Sequence, residues 1–317
     1  MIGLLPKAGG GGLDMIKVGC CGFPISQTKY YETFSLVELN STFYKYPTPS
    51  TAEKWRTKAP ENFEFTVKAH QDISHKYRLR IEESIDPFER IKQICRILNA
   101  KVILIQTPAS FSVKDLEKAE EFFRKINRED FVLVWETRGA SWESEESLKR
   151  LKDVLSKIDV THVTDPLKLM PAFTSDLAYF RLHGLGERLY YYQYTNDELR
   201  RLYEIVREFE NLKMGVYVLF NNLSMFDDAK RFIFFLENKS FPPLTGTFGL
   251  DSVKSMLSKV RYPANRNLLI DKIGWRLIEL KEGKQIRLSS LLNAIPAKTY
   301  KSLDEIMDEI KAKWTIL

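Results

Sequence analysis

The strongest constraint on the fold is the alternation of short strand-like runs and longer helical patterns between residues 16 and 243. The runs are rich in β-branched and aromatic residues, and the segments between them carry apolar residues at helical spacing. The eight runs are 16–22, 36–44, 63–70, 101–108, 131–138, 159–165, 178–184 and 215–222. Eight βα units predict an α/β chain with a (β/α)8 TIM barrel over residues 15–245. A doubly wound sheet is the alternative, although such sheets usually have fewer strands.

The segments that flank this region have different patterns. Residues 1–14 contain four consecutive glycines and are interpreted as a flexible leader. After the Pro-rich segment 241–246, the runs 275–280 and 285–292 predict a β-hairpin. Ser302 and Glu305 then form a capping-box pattern at the start of a terminal helix. Residues 261–317 are therefore predicted to be a small C-terminal α+β (ββα) module.

Composition excludes several classes of protein. The formal net charge is +6, from 48 basic and 42 acidic residues, which is too mild to identify a nucleic-acid-binding protein by itself. The three cysteines, Cys20, Cys21 and Cys95, fit neither a paired zinc motif nor an even disulfide framework. No apolar run approaches the roughly 18 residues of a membrane span. We therefore expect a cytoplasmic protein that does not bind membranes, of undetermined oligomeric state.

Polar residues stand at the ends of nearly all the predicted strands. Because side chains alternate along a strand, Tyr179, Arg181 and His183 are expected on one face. The carboxyl ends of barrel strands meet at one mouth, where TIM-barrel enzymes have their active sites. The strand-end candidates are Glu38, Asn40, Lys68, His70, Gln106, Glu136, Arg138, Asp165, Arg181, His183 and Asn221. They predict a pocket at the barrel mouth, and an internal ion-pair network that only stabilises the barrel is the structural alternative.

The mixture of charges favours an anionic ligand. Lys68, Arg138 and Arg181 can bind a phosphate or carboxylate and would repel a divalent cation. We therefore predict no cofactor, with a divalent metal as an alternative. Glu136, His183 and His70 have the residue types of acid–base catalysts. A Schiff-base role for Lys68 is a further chemical alternative.

Two loops beyond the strands combine aromatic and basic residues. They are residues 74–80 and 186–194, and the second loop includes Tyr192. Tyrosine rings with interleaved Arg and Lys can stack on bases or sugars while contacting phosphates. The tyrosines could equally cover the core. Because of these loops, a nucleic acid remains an alternative partner to an anionic small molecule.

Several motifs together resemble the YecE-like family, domain of unknown function 72. They are GCCGF (19–23), VELNSTFY (37–44), FTVKAHQDISH (65–75), ILIQTPASF (103–111), WETRGASW (135–142), YFRLHG (179–184) and VLFNN (218–222). The resemblance implies a TIM barrel with a pocket near these motifs and no settled reaction, and its barrel is similar to those of endonuclease IV and the xylose isomerases. The chain departs from the family pattern at Ser74, where Thr is frequent, and at Gly139, where His is frequent.

The resulting hypothesis is an enzyme that acts on an anionic, phosphate-bearing substrate at the barrel mouth. Its class is left open among hydrolase, lyase and isomerase. A nucleic-acid-binding barrel without strong catalysis is one alternative. A metal-dependent phosphodiesterase resembling endonuclease IV is another, and the shortage of histidines and carboxylates for a multinuclear site stands against it.

Overall fold

The computed structural model describes residues 15–212 and 214–314. The predicted leader, residues 1–14, lies outside the described residues. The described chain divides into two compact units. Residues 15–182 and 202–221 form the barrel unit, and residues 183–201 and 222–314 form the second unit. The domain boundaries expected from the sequence, at residues 245 and 261, stay a prediction.

The barrel unit contains eight parallel strands with helices between them. The strands are β1 (Ile16–Cys21), β2 (Leu36–Leu39), β3 (Glu64–Lys68), β4 (Val102–Gln106), β5 (Val132–Glu136), β6 (Thr161–Val163), β7 (Leu177–Leu182) and β8 (Gly215–Phe220). Their order around the sheet is β6-β5-β4-β3-β2-β1-β8-β7. Between β6 and β7, the Arg181 N–H donates to the Thr164 carbonyl at 2.9 Å. The sheet is thus a nearly closed barrel, which confirms the TIM-barrel prediction.

Helices follow most of the strands. They are α1 (Gln27–Tyr31), α2 (Pro49–Lys58), α3 (Ile81–Leu98), α4 (Leu116–Lys125), α5 (Glu145–Ile158) and α6 (Asn196–Asn211), the last of which crosses the unit boundary. Local chemistry sets several of their ends. The Ser144 hydroxyl accepts the Ser147 N–H at the start of α5, and Asp159 adopts the left-handed conformation at its end.

Branched and aromatic side chains fill the barrel interior. They are Leu36, Val102, Leu104, Val134, Val163, Tyr179 and Leu219, together with Cys21. A filled interior makes the barrel a packed core, so that ligand chemistry is confined to the strand ends. Gly19 illustrates the packing, because a Cβ atom at this position would lie 2.1 Å from the Leu36 carbonyl oxygen.

The second unit contains the remaining elements. They are α7 (Met225–Asn238), α8 (Gly249–Leu257), β9 (Ala264–Asn265), α9 (Arg266–Ile273), β10 (Leu277–Lys281), β11 (Lys284–Arg287), α10 (Leu288–Ala294), β12 (Thr299–Tyr300) and α11 (Leu303–Lys313). The hairpin and the terminal helix lie where the sequence predicts them. The predicted second hairpin strand, however, ends at Arg287, because Leu288, Leu291 and Leu292 are buried at helical spacing and form α10.

Candidate functional site

The carboxyl ends of the barrel strands carry a cluster of charged side chains. Lys68, Gln106 and Glu136 are the last residues of β3, β4 and β5, and Glu38 and Arg181 lie next to the ends of β2 and β7. The paired registers place Glu38 opposite Cys21 and Gln106 opposite Glu136. We define the mouth cluster as Glu38, Lys68, Gln106, Glu136, Arg138, Tyr179 and Arg181. The residues share one end of the barrel because parallel strands all run the same way.

Arg181 is the centre of the mouth cluster. Its guanidinium donates to Glu136 and, at 2.8 Å, to Glu38 Oε1. It also lies 3.4 Å from Asn40 Oδ1. The side chain is only 1% exposed, so its charge depends on these partners. Burial alone would lower the pKa of Arg181, but Glu136 and Glu38 together hold it well above its usual value.

The two carboxylates of the cluster have further donors. Arg138 Nη2 donates to Glu136 Oε1 at 2.7 Å, and the Tyr179 hydroxyl donates to Glu38 Oε2 at 2.8 Å. The Tyr179 oxygen also lies 2.7 Å from the hydroxyl of Thr66. Glu136 is therefore held between two guanidiniums, one paired with each of its carboxylate oxygens.

Lys68 is held beside these ion pairs by uncharged groups. Its Nζ donates to Gln106 Oε1 at 2.6 Å and lies 4.1 Å from the centre of the Phe43 ring. The hydroxyl of Thr42, the residue before Phe43, lies 2.6 Å from the Lys68 carbonyl and 2.7 Å from the Leu39 carbonyl. Burial, followed by the charge of Arg181, lowers the pKa of Lys68 to about 8. This lysine can therefore exchange a proton near neutral pH.

The structure gives His70, Asp165 and Asn221 other contacts. His70 Nε2 lies 3.3 Å from the Tyr44 carbonyl, and its ring stacks on Tyr46 at 4.2 Å. Asp165 Oδ1 accepts the Leu167 N–H at 3.1 Å, and the Asn221 N–H donates to the Leu182 carbonyl at 2.8 Å. Their predicted ligand roles stay predictions.

His183 and Tyr192 belong to the second unit. The His183 ring meets Tyr190 edge-on at 5.9 Å. The Tyr192 hydroxyl donates to Glu198 at 2.5 Å, and the Arg287 guanidinium lies 4.1 Å above the Tyr192 ring. The predicted roles of both residues remain sequence-based expectations.

The sequence-based hypothesis gives no site role to Tyr179, Thr66 or His75, although it places Tyr179 on the same strand face as Arg181. Burial, and then the charges of Lys68 and Arg138, lower the pKa of His75, so this imidazole responds to the mouth cluster. Strand parity likewise places Thr66 on the face of Lys68, two residues before it. The contacts of Tyr179 with Thr66 and Glu38 are tertiary, and strand position alone does not specify them.

The described residues contain no group of three or more His, Cys, Asp or Glu side chains that could hold a metal ion. In the same part of the chain, no helix has the length and apolarity needed to cross a membrane.

Residues 27–242 match the family described as "Protein of unknown function DUF72". The chain belongs to this DUF72 family. A curated relative, the UPF0759 protein YunF of Bacillus subtilis (strain 168), is 27% identical over an alignment of 230 residues, and the match covers 63% of this chain and 81% of YunF. The resemblance seen in the sequence motifs is thus confirmed, and neither description names a substrate or reaction.

Solved DUF72 structures support the same fold. A DUF72 family protein from Thermotoga maritima MSB8 superposes with a TM-score of 0.55 at 25% identity, covering 71% of this chain and 100% of the other. A DUF72 family protein from Enterococcus faecalis V583 gives a TM-score of 0.58 at 24% identity, covering 71% and 98%. Both likenesses agree with the nearly closed eight-stranded barrel.

Proposed function

We propose that the barrel unit is an enzyme that binds a small, phosphate-bearing substrate at the mouth cluster. The observation that carries the proposal is the ion-pair arrangement in which Arg181 and Arg138 hold Glu136 at the strand ends, beside a lysine with a pKa of about 8. Charged groups with perturbed pKa values at the mouth of a TIM barrel are typical of catalytic sites.

The structural alternative is an ion-pair network that only ties the strand ends together. Burying charged groups costs several kcal/mol per ion, and apolar side chains of similar volume often stabilise a protein as well or better. Stability alone therefore gives little reason to bury Glu38, Glu136 and Arg181 in a barrel that is filled mainly by branched and aromatic side chains. The cost of burying these charges favours a functional role for the cluster.

The cluster supports different roles for its two arginines. Arg181 is assigned a positioning role, because it is 1% exposed and donates to both carboxylates. Arg138 has 23% of its side chain exposed and is assigned contact with the anion. Glu136, held by both arginines, is assigned the proton-transfer role. Lys68, Gln106 and Asn40 complete the proposed contacts, while Glu38 supports Arg181.

The roles of the other residues predicted from the sequence have weaker support. His70, His183, Asp165, Asn221 and Tyr192 enter the proposal from strand position and loop composition alone. We include no cofactor in the proposed reaction. A cytoplasmic location is also part of the proposal, and three buried cysteines without a disulfide are compatible with a reducing compartment.

The test of the proposal is phosphate binding by the full chain, measured by isothermal titration calorimetry. Arg138→Met should lower the affinity for inorganic phosphate roughly 10- to 150-fold, the equivalent of about 1.5–3 kcal/mol for hydrogen bonds to a charged group. The matched control is Arg124→Met, since Arg124 is an exposed residue of α4 that pairs with Glu120. Equal affinities for Arg138→Met and the unchanged chain, or no phosphate binding by either, would contradict the proposal.

A second candidate function is the binding of single-stranded nucleic acid, and an aromatic and basic surface of the second unit supports it. The Arg188 guanidinium lies 3.3 Å from the centre of the Tyr191 ring, and Tyr191 meets Trp275 edge-on at 6.1 Å. Arg276 lies 5.3 Å from the Trp275 ring. Such a surface suits single-stranded nucleic acid, whose bases stack on aromatic rings while arginines meet the phosphates.

Salt dependence separates the two functions. Binding to a single-stranded oligonucleotide should weaken steeply with salt if many phosphates are neutralised, whereas a small-molecule anion site responds weakly. Fluorescence anisotropy measures the affinity for the oligonucleotide and its salt dependence, both for the unchanged chain and for Trp275→Ala. An oligonucleotide affinity that Trp275→Ala leaves unaltered would remove the second candidate.

A further inference from the structure

Among the described residues of the barrel unit, the buried lysines are Lys68 and Lys92, and their amines have different surroundings. Lys92, whose side chain is fully buried, donates to Glu89 at 2.6 Å, to Glu129 at 2.7 Å and to the Asn127 carbonyl at 2.9 Å. Burial would lower the pKa of Lys92, but its hydrogen bonds to Glu129 and Glu89 raise it overall. Lys92 is therefore a permanently charged structural lysine.

Lys68 has no comparable charged partner. Within the described residues, no carboxylate oxygen lies at ion-pair distance from its Nζ, although the residue is only 8% exposed. Its amine meets the Gln106 amide oxygen and the face of the Phe43 ring. The Gln106 amide oxygen accepts an N–H from a neutral amine as well as from an ammonium, whereas the face of the Phe43 ring favours the ammonium.

The charged groups around Lys68 act in both directions. Arg181 and Arg138 favour loss of its proton, whereas Glu136 and Glu38 favour its retention, and burial has the largest effect. With a pKa of about 8, about a tenth of the Lys68 amine is neutral at pH 7, compared with fewer than about one in a thousand for an ordinary lysine. A neutral amine has the lone pair that a nucleophile requires.

We propose that Lys68 forms an imine with the carbonyl group of a phosphate-bearing aldehyde or ketone. This inference rests on the proposed function, because the phosphate would be held by Arg138. The Lys68 nitrogen bonds to the carbonyl carbon, and the nitrogen's proton passes to the carbonyl oxygen to give a carbinolamine. The hydroxyl group then takes a proton from solvent and leaves as water, which gives the iminium ion.

The neighbouring carboxylate suits the next step. An iminium ion withdraws electrons from the adjacent carbon, so that a C–H proton there becomes acidic. Glu136, which Arg138 and Arg181 hold in one orientation, would accept that proton while the C–H electrons form an enamine. The substrate class is therefore a small phosphorylated carbonyl compound, and the reaction class is that of an isomerase or lyase.

Borohydride trapping tests this inference. The full chain is incubated with dihydroxyacetone phosphate or glyceraldehyde 3-phosphate, sodium borohydride is added, and intact and peptide masses are measured. The expected result is one reduced adduct per chain, mapped to Lys68 and formed in increasing yield as pH rises through about 8. Lys68→Arg should abolish the adduct while keeping a cation at this position. Lys76→Arg, which alters a solvent-exposed lysine, should leave it unchanged.

The outcomes distinguish the inference from the proposed function. Absence of a Lys68 adduct with both compounds, in a chain that still binds phosphate through Arg138, overturns the imine and leaves the anion site standing. Labelling spread over exposed lysines, with the same yield in Lys68→Arg, overturns it as well. Loss of both phosphate binding and trapping removes both ideas. Because the adduct is mapped in the unchanged chain, the decision does not depend on how well Lys68→Arg folds.

Discussion

The two units each bury a charged network, and the networks differ in their balance of charge. In the barrel unit, one buried guanidinium, Arg181, faces the two carboxylates Glu38 and Glu136. In the second unit, Arg231 Nη1 donates to the single carboxylate Asp228 at 3.1 Å and to the Tyr194 carbonyl at 2.7 Å. Arg181 thus has two carboxylates in direct contact, whereas Arg231 has one, and Glu279 and Asp227 act on Arg231 at longer range.

This difference is reflected in the pKa values of the buried groups. Burial would lower the pKa of Arg181, but its two carboxylates, Glu136 and Glu38, more than offset this effect and raise the pKa. At Arg231, burial prevails and lowers the pKa, and burial also raises the pKa of Asp228 to about 7. Neutral donors around Asp228, the Asn222 amide and the Tyr194 N–H, compensate its charge less than a second guanidinium would. Both arginines are buried, so the opposite directions of their pKa shifts follow from the number of carboxylates in direct contact with each guanidinium.

Of the substitutions that test this comparison, the removal of Arg181 should have the largest effect on stability. Arg181→Met leaves Glu38 and Glu136 without their shared guanidinium, and the free energy of unfolding should fall by about 3–5 kcal/mol. The measurement is urea denaturation followed by circular dichroism. Arg200→Met, at an exposed position of α6, is the control and should change stability by less than about 0.5 kcal/mol.

The double variant Arg181→Met, Glu136→Gln sharpens the result. It removes one of the two stranded carboxylates and should restore part of the lost stability, because Glu38 keeps its bond from Tyr179. A loss of less than about 1 kcal/mol in the single variant would show that the cluster is not held by its charges.

The pH dependence of stability should reveal the second network. The pKa of Asp228 rises from 3.8 in the unfolded chain to about 7 in the folded protein, so the unfolded state loses its proton first as pH increases. The Asp228 contribution is therefore most favourable below pH 4 and declines as pH rises through about 7, by on the order of 4 kcal/mol at most.

Asp228→Asn isolates this contribution, since an amide does not titrate. The difference in unfolding free energy between the unchanged chain and the variant should vary between pH 4 and pH 7 and be flat above about pH 8. Urea titrations at several pH values measure it. A difference that is constant across this interval would mean that Asp228 is fully ionised in the folded state and that Arg231 balances it after all.

The two networks also differ in how far the sequence predicts them. The period-two alternation of strands placed Glu38, Glu136 and Arg181 at one end of the barrel, and the structure joins them directly. Alternation extended beyond the strand ends predicts Arg138 and His70 at the same mouth. Arg138 does reach Glu136, whereas His70, which follows the end of β3, contacts Tyr44, and its catalytic role stays a prediction.

The second network was not predictable in this way. It joins Tyr194, Asn196 and Asn222, which lie in loops and at a helix start, to Asp228 and Arg231 of α7. No periodic pattern relates these positions, because their proximity comes from chain reversals whose geometry the local sequence does not specify. Residues 288–292 are a separate case, because the sequence predicts a strand there and the structure forms α10, with Leu288, Leu291 and Leu292 buried at helical spacing.

The smallest expected effect concerns a feature that the sequence did identify. The Ser302 hydroxyl accepts the Glu305 N–H at 3.2 Å at the start of α11, and Glu305 Oε2 accepts the Lys301 N–H at 2.7 Å. Ser302→Ala leaves one helix-end donor without its partner and should cost about 1 kcal/mol. Because α11 contributes Ile306, Met307 and Ile310 to the core of the second unit, hydrogen exchange should accelerate in that unit's helices while the amides of β1 to β5 keep their protection. Ser156→Ala, on the exposed side of α5, serves as the control. Equal acceleration in the barrel strands would show that the two units unfold as one, so that their networks could not be perturbed separately.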